Sequence, residues 1–325
     1  MSRESLSHRA EFALFRCARR VLLALPEPVS VLLGSALGAV AGSVLRIRRR
    51  DVDRHLAWAF PEMAPRARAR VARASYRHLG REAVTFFRLP AWSRERVVER
   101  TRVEGLDALR EALDRAGGAI VLTGHLGSWE VGGAALAARG LPVDAVAKGM
   151  ANRRFQAELF QTRERLGLRL VEPADAARRL PRALRSGRVA AFVADQNAHR
   201  GGVFVPFFGR LASTARGAAL FAIRTGVPAF VGFALREPGL RPRYRVVLEP
   251  LPFSPSGDAE EDVHAFAAAY NQAVEMAVRA RPEQYFWPHK RWKTRPPART
   301  EHAAEAEGAA NGLPEPRNRS PGPRL

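Results

Sequence analysis

Residues 119–148 read AIVLTGHLGSWEVGGAALAARGLPVDAVAK, and the fold turns on how this stretch is read. The apolar run AIVLT (119–123) has the length and composition of a buried strand and ends at Gly124. SWEVGGAALAAR (128–139) has helical spacing, starts on a residue suited to capping, Ser128, and stops at Gly140. VDAVAK (143–148) is a second strand. Strand, turn, helix and strand in one short stretch make a β-α-β unit, whose two strands run parallel.

The same alternation continues outward. Residues 152–166 form a helix ended by Gly167, LRLVE follows as a strand, and Asp175 can cap a helix running to Ser186. VAAFVAD (189–195) is the next strand. Ser213 or Thr214 caps ARGAALFAIRTG, and VPAFVGFAL is again a strand. RYRVVLE (243–249) alternates as an edge strand does, and residues 260–281 read as a long helix. The fold class is therefore α/β, with a mostly parallel central sheet flanked by helices and, ahead of it, an N-terminal membrane-associated helix.

That helix is read from residues 29–45, VSVLLGSALGAVAGSVL, which carry no charge and are followed by Arg46, Arg48, Arg49 and Arg50. The run is at the short edge of what crosses a bilayer, for which about 20 apolar residues are usual. Gly34, Gly38 and Gly42 recur every fourth residue and line one helix face for close packing. The arginines place that end on the cytoplasmic side. Upstream, residues 12–25 interleave apolar residues with Arg16, Arg19 and Arg20, as a segment lying among lipid headgroups does. The organisation read here is a membrane-anchoring helical segment (1–50), an α/β domain (51–297) and a disordered tail (298–325) rich in Pro, Gly and charge.

With 53 Lys+Arg against 32 Asp+Glu, the net charge of +21 favours a polyanionic neighbour: nucleic acid, an anionic membrane face or an acidic protein. The arginines are scattered rather than striped, and the aromatics gather near 204–208 and 285–292, which speaks against nucleic acid. Cys17 is the single cysteine, so no intrachain disulfide forms.

The turn after the first strand carries the chemistry. His125 and Glu130 are five positions apart, too far round a continuous helix to meet, but Gly124 and Gly127 permit a sharp turn between them. Glu130 in the first helical turn could then reach back to the imidazole and fix its tautomer, leaving the other nitrogen basic. The plainer reading is a loop histidine beside an acid that satisfies the helix dipole. No G-x-S-x-G elbow, HExxH or paired-Cys zinc pattern, P-loop or dinucleotide fingerprint is present. No metal site and no cofactor are expected. A histidine without a nucleophile of its own would activate an acceptor hydroxyl against an already activated acyl group, such as a thioester.

GHLGSWE resembles the H-x4-[D/E] motif of the glycerolipid acyltransferase superfamily. ADQNAHRGGVFVPFFGRLASTARGAALFAIRTGVPAFV (194–231), PEQYFWPHKRWKTRP (282–296) and RHLAWAFPEM (54–63) are similar to blocks of the bacterial lipid A biosynthesis (lauroyl/myristoyl) acyltransferases. The resemblance implies an inner-membrane enzyme, facing the cytoplasm, that moves a fatty acyl chain from acyl carrier protein, or acyl-CoA, to a hydroxyl of a lipid A precursor or related glycolipid. It makes His125 the general base and Glu130 its partner. It places Arg165, Asp195 and Gln196 at the site, and Lys148 and Asn152 where the family commonly has Arg and Asn. Each has a plainer reading: Asn152 as a helix N-cap, Asp195 as a turn residue, Arg165 as a solvated helix-end base. The departures at Lys148, Asn197 and His55 leave the reaction type in place and open the acceptor to alternatives: a lysophospholipid, an ornithine lipid or a mannosylated phosphoinositide.

Overall fold

The computed structural model describes residues 6–296. The expected tail at 298–325 lies outside them. The described chain opens with α1 (Leu6–Ala24), α2 (Glu27–Ser43), α3 (Arg49–Ala59) and α4 (Pro65–Arg88). A short α5 (Arg94–Arg100) leads to β1 (Thr101–Glu104), α6 (Leu106–Ala116), β2 (Ala119–Thr123), α7 (Trp129–Ala138) and β3 (Val143–Val146). There follow α8 (Arg153–Arg165), β4 (Arg169–Val171), α9 (Pro173–Leu184) and β5 (Val189–Val193). The hairpin β6 (Val203–Phe207) and β7 (Arg210–Thr214) precedes α10 (Gly217–Thr225), β8 (Ala229–Arg236), β9 (Tyr244–Pro250) and α11 (Ala259–Ala280).

Seven strands form one sheet in the order β1-β9-β8-β2-β5-β3-β4. Every neighbouring pair is parallel except β8–β9, which is antiparallel. β9, expected at the edge, is second from it, because β1 covers it in register from Thr101↔Tyr244 to Glu104↔Val247. TRVE is too short and too polar to announce itself as a strand; pairing makes it one. Apolar cores lie on both faces of the sheet. One joins α3, α4, α9, α10 and α11 around Leu122, Phe233 and Trp287; the other joins α5, α6 and α7 around Val121, Val131 and Phe230. FFG (207–209) turns the β6–β7 hairpin, with positive φ at Phe208 and Gly209 as a two-residue type I′ loop needs. Phe207 is buried in the core and does not line the main cavity.

The glycine face of α2 packs as expected, against another part of the same chain. A Cβ at Gly34 would lie 2.5 Å from the Gly80 carbonyl oxygen, and one at Gly80 only 1.9 Å from that of Gly34. Gly38 and Gly42 meet Tyr76 in the same way. Glu27, at the start of α2, accepts Arg100 of α5 at 3.0 Å. No described helix is long and apolar enough to cross a membrane. The opposite face of α2 and the turn after it remain bare: Leu32, Leu37, Val44 and Leu45 are all more than half exposed, beside exposed Arg46, Arg48 and Arg50.

Candidate active site

The site is built by the register of two parallel strands. Thr123 at the end of β2 pairs with Val193 at the end of β5. Two residues beyond each stand His125 and Asp195, at the carboxyl edge where open α/β sheets hold their ligands. The His125 ring donates from Nδ1 to Asp195 Oδ1 at 2.6 Å, and the His125 backbone N–H donates to Oδ2 at 2.8 Å. Gly124 makes this approach possible, since a Cβ there would sit 3.0 Å from Asp195 Oδ2. Gly127, with φ of 65°, lets the chain turn against the Ala234 carbonyl and enter α7.

Nδ1 bonded to a carboxylate leaves Nε2 as the acceptor nitrogen. It takes the side-chain N–H of Gln196 at 3.0 Å, and the Trp129 ring lies 4.4 Å from the imidazole. Burial alone would push the Asp195 carboxyl up. Its electrostatic and hydrogen-bond interactions with His125, together with the charge of Arg291, outweigh that and hold it below the usual value. His125 is therefore placed to accept a proton at Nε2 while an ionised carboxylate steadies Nδ1–H.

Glu130 does not partner the imidazole, which corrects the expected pairing. Its carboxylate faces α8, where Arg163 grips it with two nitrogens, Nε to Oε2 at 3.0 Å, and the Trp129 indole donates to Oε1 at 3.2 Å. The physical reason is occupancy: Asp195 already holds Nδ1, and a bidentate guanidinium is the stronger partner for a carboxylate in the first turn of α7. Lys148 and Gln196 line the cavity beside His125. Asn152 caps α8 by accepting from Phe155 N–H, and its amide donates to the His8 carbonyl at 2.9 Å. It thus ties the loop to α1, on a separate groove with Phe12 and Phe15. Arg165 turns away and donates to the Pro90 carbonyl. Two helical residues are about 200° of rotation, so Arg163 faces the cavity where Arg165 cannot.

The cavity measures about 600 Å³ and runs under α7. Its floor crosses neighbouring strands from Val246 and Leu248 of β9, through Gly232, Val121 and Ala191, to Ala145 of β3. Five strands at about 4.8 Å spacing span roughly 19 Å. Glu130, Lys148 and Arg163 are its charged residues, His125 and Gln196 add polar groups, and the remainder is mostly apolar.

A C-terminal strap closes the site, and sequence reasoning missed its part in it. Phe286 N–H donates to the His125 carbonyl at 2.9 Å, and Gly127 N–H to the Gln284 carbonyl at 3.1 Å. Asn197 N–H donates to His289 Nε2 at 3.0 Å. Burial pushes the His289 imidazole down to about 4, so it stays neutral. The mixed aromatic and basic composition of 282–296 was the available signal, and it reads equally well as surface packing.

Comparison with known proteins decides the family. Residues 3–294 match the family model of the bacterial lipid A biosynthesis acyltransferases. The chain belongs to this family. Among its relatives, the lipid A biosynthesis palmitoleoyltransferase of Escherichia coli K12 is 29% identical over 84% of this chain and 87% of its own length. The lauroyltransferase of the same strain is 28% identical over 85% and 89%. A phosphatidylinositol mannoside acyltransferase of Mycolicibacterium smegmatis is 32% identical over a shorter stretch, 52% of this chain and 56% of its own. This member of the lipid A acyltransferase family is thus an O-acyltransferase.

Proposed function

We propose that the protein transfers a fatty acyl chain from an acyl carrier protein thioester to a hydroxyl of a lipid A precursor or related glycolipid, with His125 as general base and Asp195 as its orienting acid. The observation that carries this reading is a carboxylate-held imidazole, its Nε2 bonded only to the side chain of Gln196, in the lining of a long apolar cavity. The acceptor hydroxyl takes the place of the Gln196 amide at Nε2. As its oxygen attacks the thioester carbonyl, its proton passes to Nε2, and collapse of the adduct expels the thiolate, which takes that proton back. Ester and free thiol leave, and His125 is restored.

The cavity suits a fatty chain. A fully extended chain advances roughly 1.2 Å per bond, taking the backbone's ~3.6 Å over three bonds, so the span of five strands holds on the order of 16 bonds. Lys148 and Arg163 supply positive charge beside it for a phosphorylated partner, Arg163 being held in place by Glu130. The bare apolar face of α2 with the arginines after it suits an anionic inner-membrane surface, on which the protein lies with its site towards the cytoplasm.

A second reading keeps the chemistry and changes the acceptor to a mannosylated phosphoinositide, favoured by the partial likeness to the mycobacterial-type enzyme. The test pairs purified protein and its His125→Ala form with lauroyl-acyl carrier protein and either acceptor, read by lipid mass spectrometry. Acylation of a lipid A precursor, absent in the variant, supports the leading reading. Acylation of the phosphoinositide alone replaces the acceptor, and full activity in the folded variant removes the base.

A further inference from the structure

Two adjacent residues meet the His125 imidazole from opposite ends. Asp195 is buried and accepts two hydrogen bonds, one from Nδ1–H and one from the His125 backbone N–H. Gln196 is exposed, and its side chain makes a single bond in the described structure, at 3.0 Å to Nε2. With Nδ1–H given to the carboxylate, Nε2 holds only a lone pair, so it is the Gln196 amide nitrogen that donates. Among the described residues no other donor takes that lone pair. The Trp129 indole N–H is committed to Glu130, and the Phe286 ring, 6.0 Å from the imidazole, brings none.

An occupied lone pair has a chemical consequence. The His125 side chain is 16% exposed and lines the cavity, so water can reach it. Water at Nε2 is an acceptor like any alcohol. Its oxygen adds to the thioester carbonyl, its proton passes to Nε2, the C–S bond breaks, and the departing thiolate takes the proton back, leaving free fatty acid and thiol. A base able to activate a bound hydroxyl is able to activate that water too, and the two differ in what else holds them. Water brings no binding energy of its own with which to displace the amide. A glycolipid hydroxyl arrives on a molecule held by its headgroup and chains, and that binding can be spent on displacing one neutral hydrogen bond.

We propose that Gln196 guards the base: it caps Nε2 while the site holds thioester without acceptor, and gives way to an acceptor hydroxyl but not to water, so that transfer is favoured over hydrolysis. It acts through His125 and sets which acceptor the reaction uses, and the proposal rests on His125 being the general base. The two neighbours divide the work by their surroundings. The buried carboxylate with two bonds is fixed, and the exposed amide with one bond is free to swing.

The test is the partition of lauroyl-acyl carrier protein between water and a lipid A precursor in purified protein, with free lauric acid and acylated precursor counted by mass spectrometry. In Gln196→Ala, hydrolysis without acceptor rises about fivefold, the factor supplied by one neutral hydrogen bond of about 1 kcal/mol. The ratio of acid to ester with acceptor present rises with it, which a merely structural role would not produce. Gln196→Met keeps the length of the side chain without a donor and behaves as Gln196→Ala does. Native-like hydrolysis in the Met variant makes bulk the barrier to water and overturns the proposal. A folded Gln196→Ala protein whose hydrolysis and transfer fall together overturns it as well, leaving Gln196 a substrate contact. Combination with His125→Ala separates this proposal from the reading beneath it. If His125→Ala alone keeps full transfer activity, the base reading falls and the guard with it. If that variant is inactive and the extra hydrolysis of Gln196→Ala persists in the double variant, the base stands and the guard alone is overturned.

Discussion

Two carboxylates stand near the cavity, and they do different work. Glu130 is five residues from His125 in the chain and binds Arg163; Asp195 is 70 residues away and binds His125. The near one sits on the helix that leaves the histidine's loop and faces a neighbouring helix. The far one stands two residues beyond the end of the neighbouring strand, in a register that sets it opposite. Nearness along the chain brought Glu130 to the same cavity, whereas nearness across a parallel sheet brought Asp195 to the same proton.

The comparison can be broken from either side. The largest expected effect is that of His125→Ala, which removes the base and lowers kcat by about 10⁴-fold, the upper end of what general base catalysis contributes. Asp195→Asn keeps the shape and loses the charge. Its kcat falls by about 10³-fold, and a D195N enzyme within a fewfold of the native rate would strip Asp195 of its role. Glu130→Gln is expected to act on substrate affinity instead. KM rises about tenfold with kcat nearly kept, the worth of one charge-assisted hydrogen bond. A collapse of kcat in that variant equal to that of D195N would make the two carboxylates equivalent and erase the distinction.

The smallest effect concerns stability and pH. His289 is held neutral at about 4 by burial, against an ordinary value of 6.5. Between those values the unfolded chain takes up a proton that the folded chain refuses, so stability falls as pH drops from about 6.5 towards 4. His289→Gln should flatten that part of the thermal-melting profile by a few degrees. Asp195, depressed in the fold, contributes in the opposite range: its share is present above the ordinary carboxyl value and is lost as pH falls below it.

Much of the fold was legible because the strands near the site are short apolar runs followed by glycine-stopped helices, as at 119–140 and 152–167. Strand β1 was not, since a polar TRVE becomes a strand through β9 alone. At the site, His125, Gln196 and Lys148 line one cavity, because a turn after a buried strand exposes its residues at one sheet edge. Asp195 was placed at that edge too, but strand order decides whether it touches the imidazole, and β2 and β5 are neighbours only in space. Arg163 lines the cavity and Arg165 does not, a difference of helical phase that two residues make. The strap was the least legible part, since two of its contacts to the His125 loop are backbone hydrogen bonds, to which side-chain identity gives no clue.

The interlock of Gly34 with Gly80 has a consequence for geometry. Because each glycine leaves room for the other's carbonyl, α2 packs backbone to backbone into the body of the protein. The exposed row of Leu32, Leu37, Val44 and Leu45 is therefore a rigid keel. A surface resting on that row would stand from His125 at a height and tilt that the packing of α2 sets.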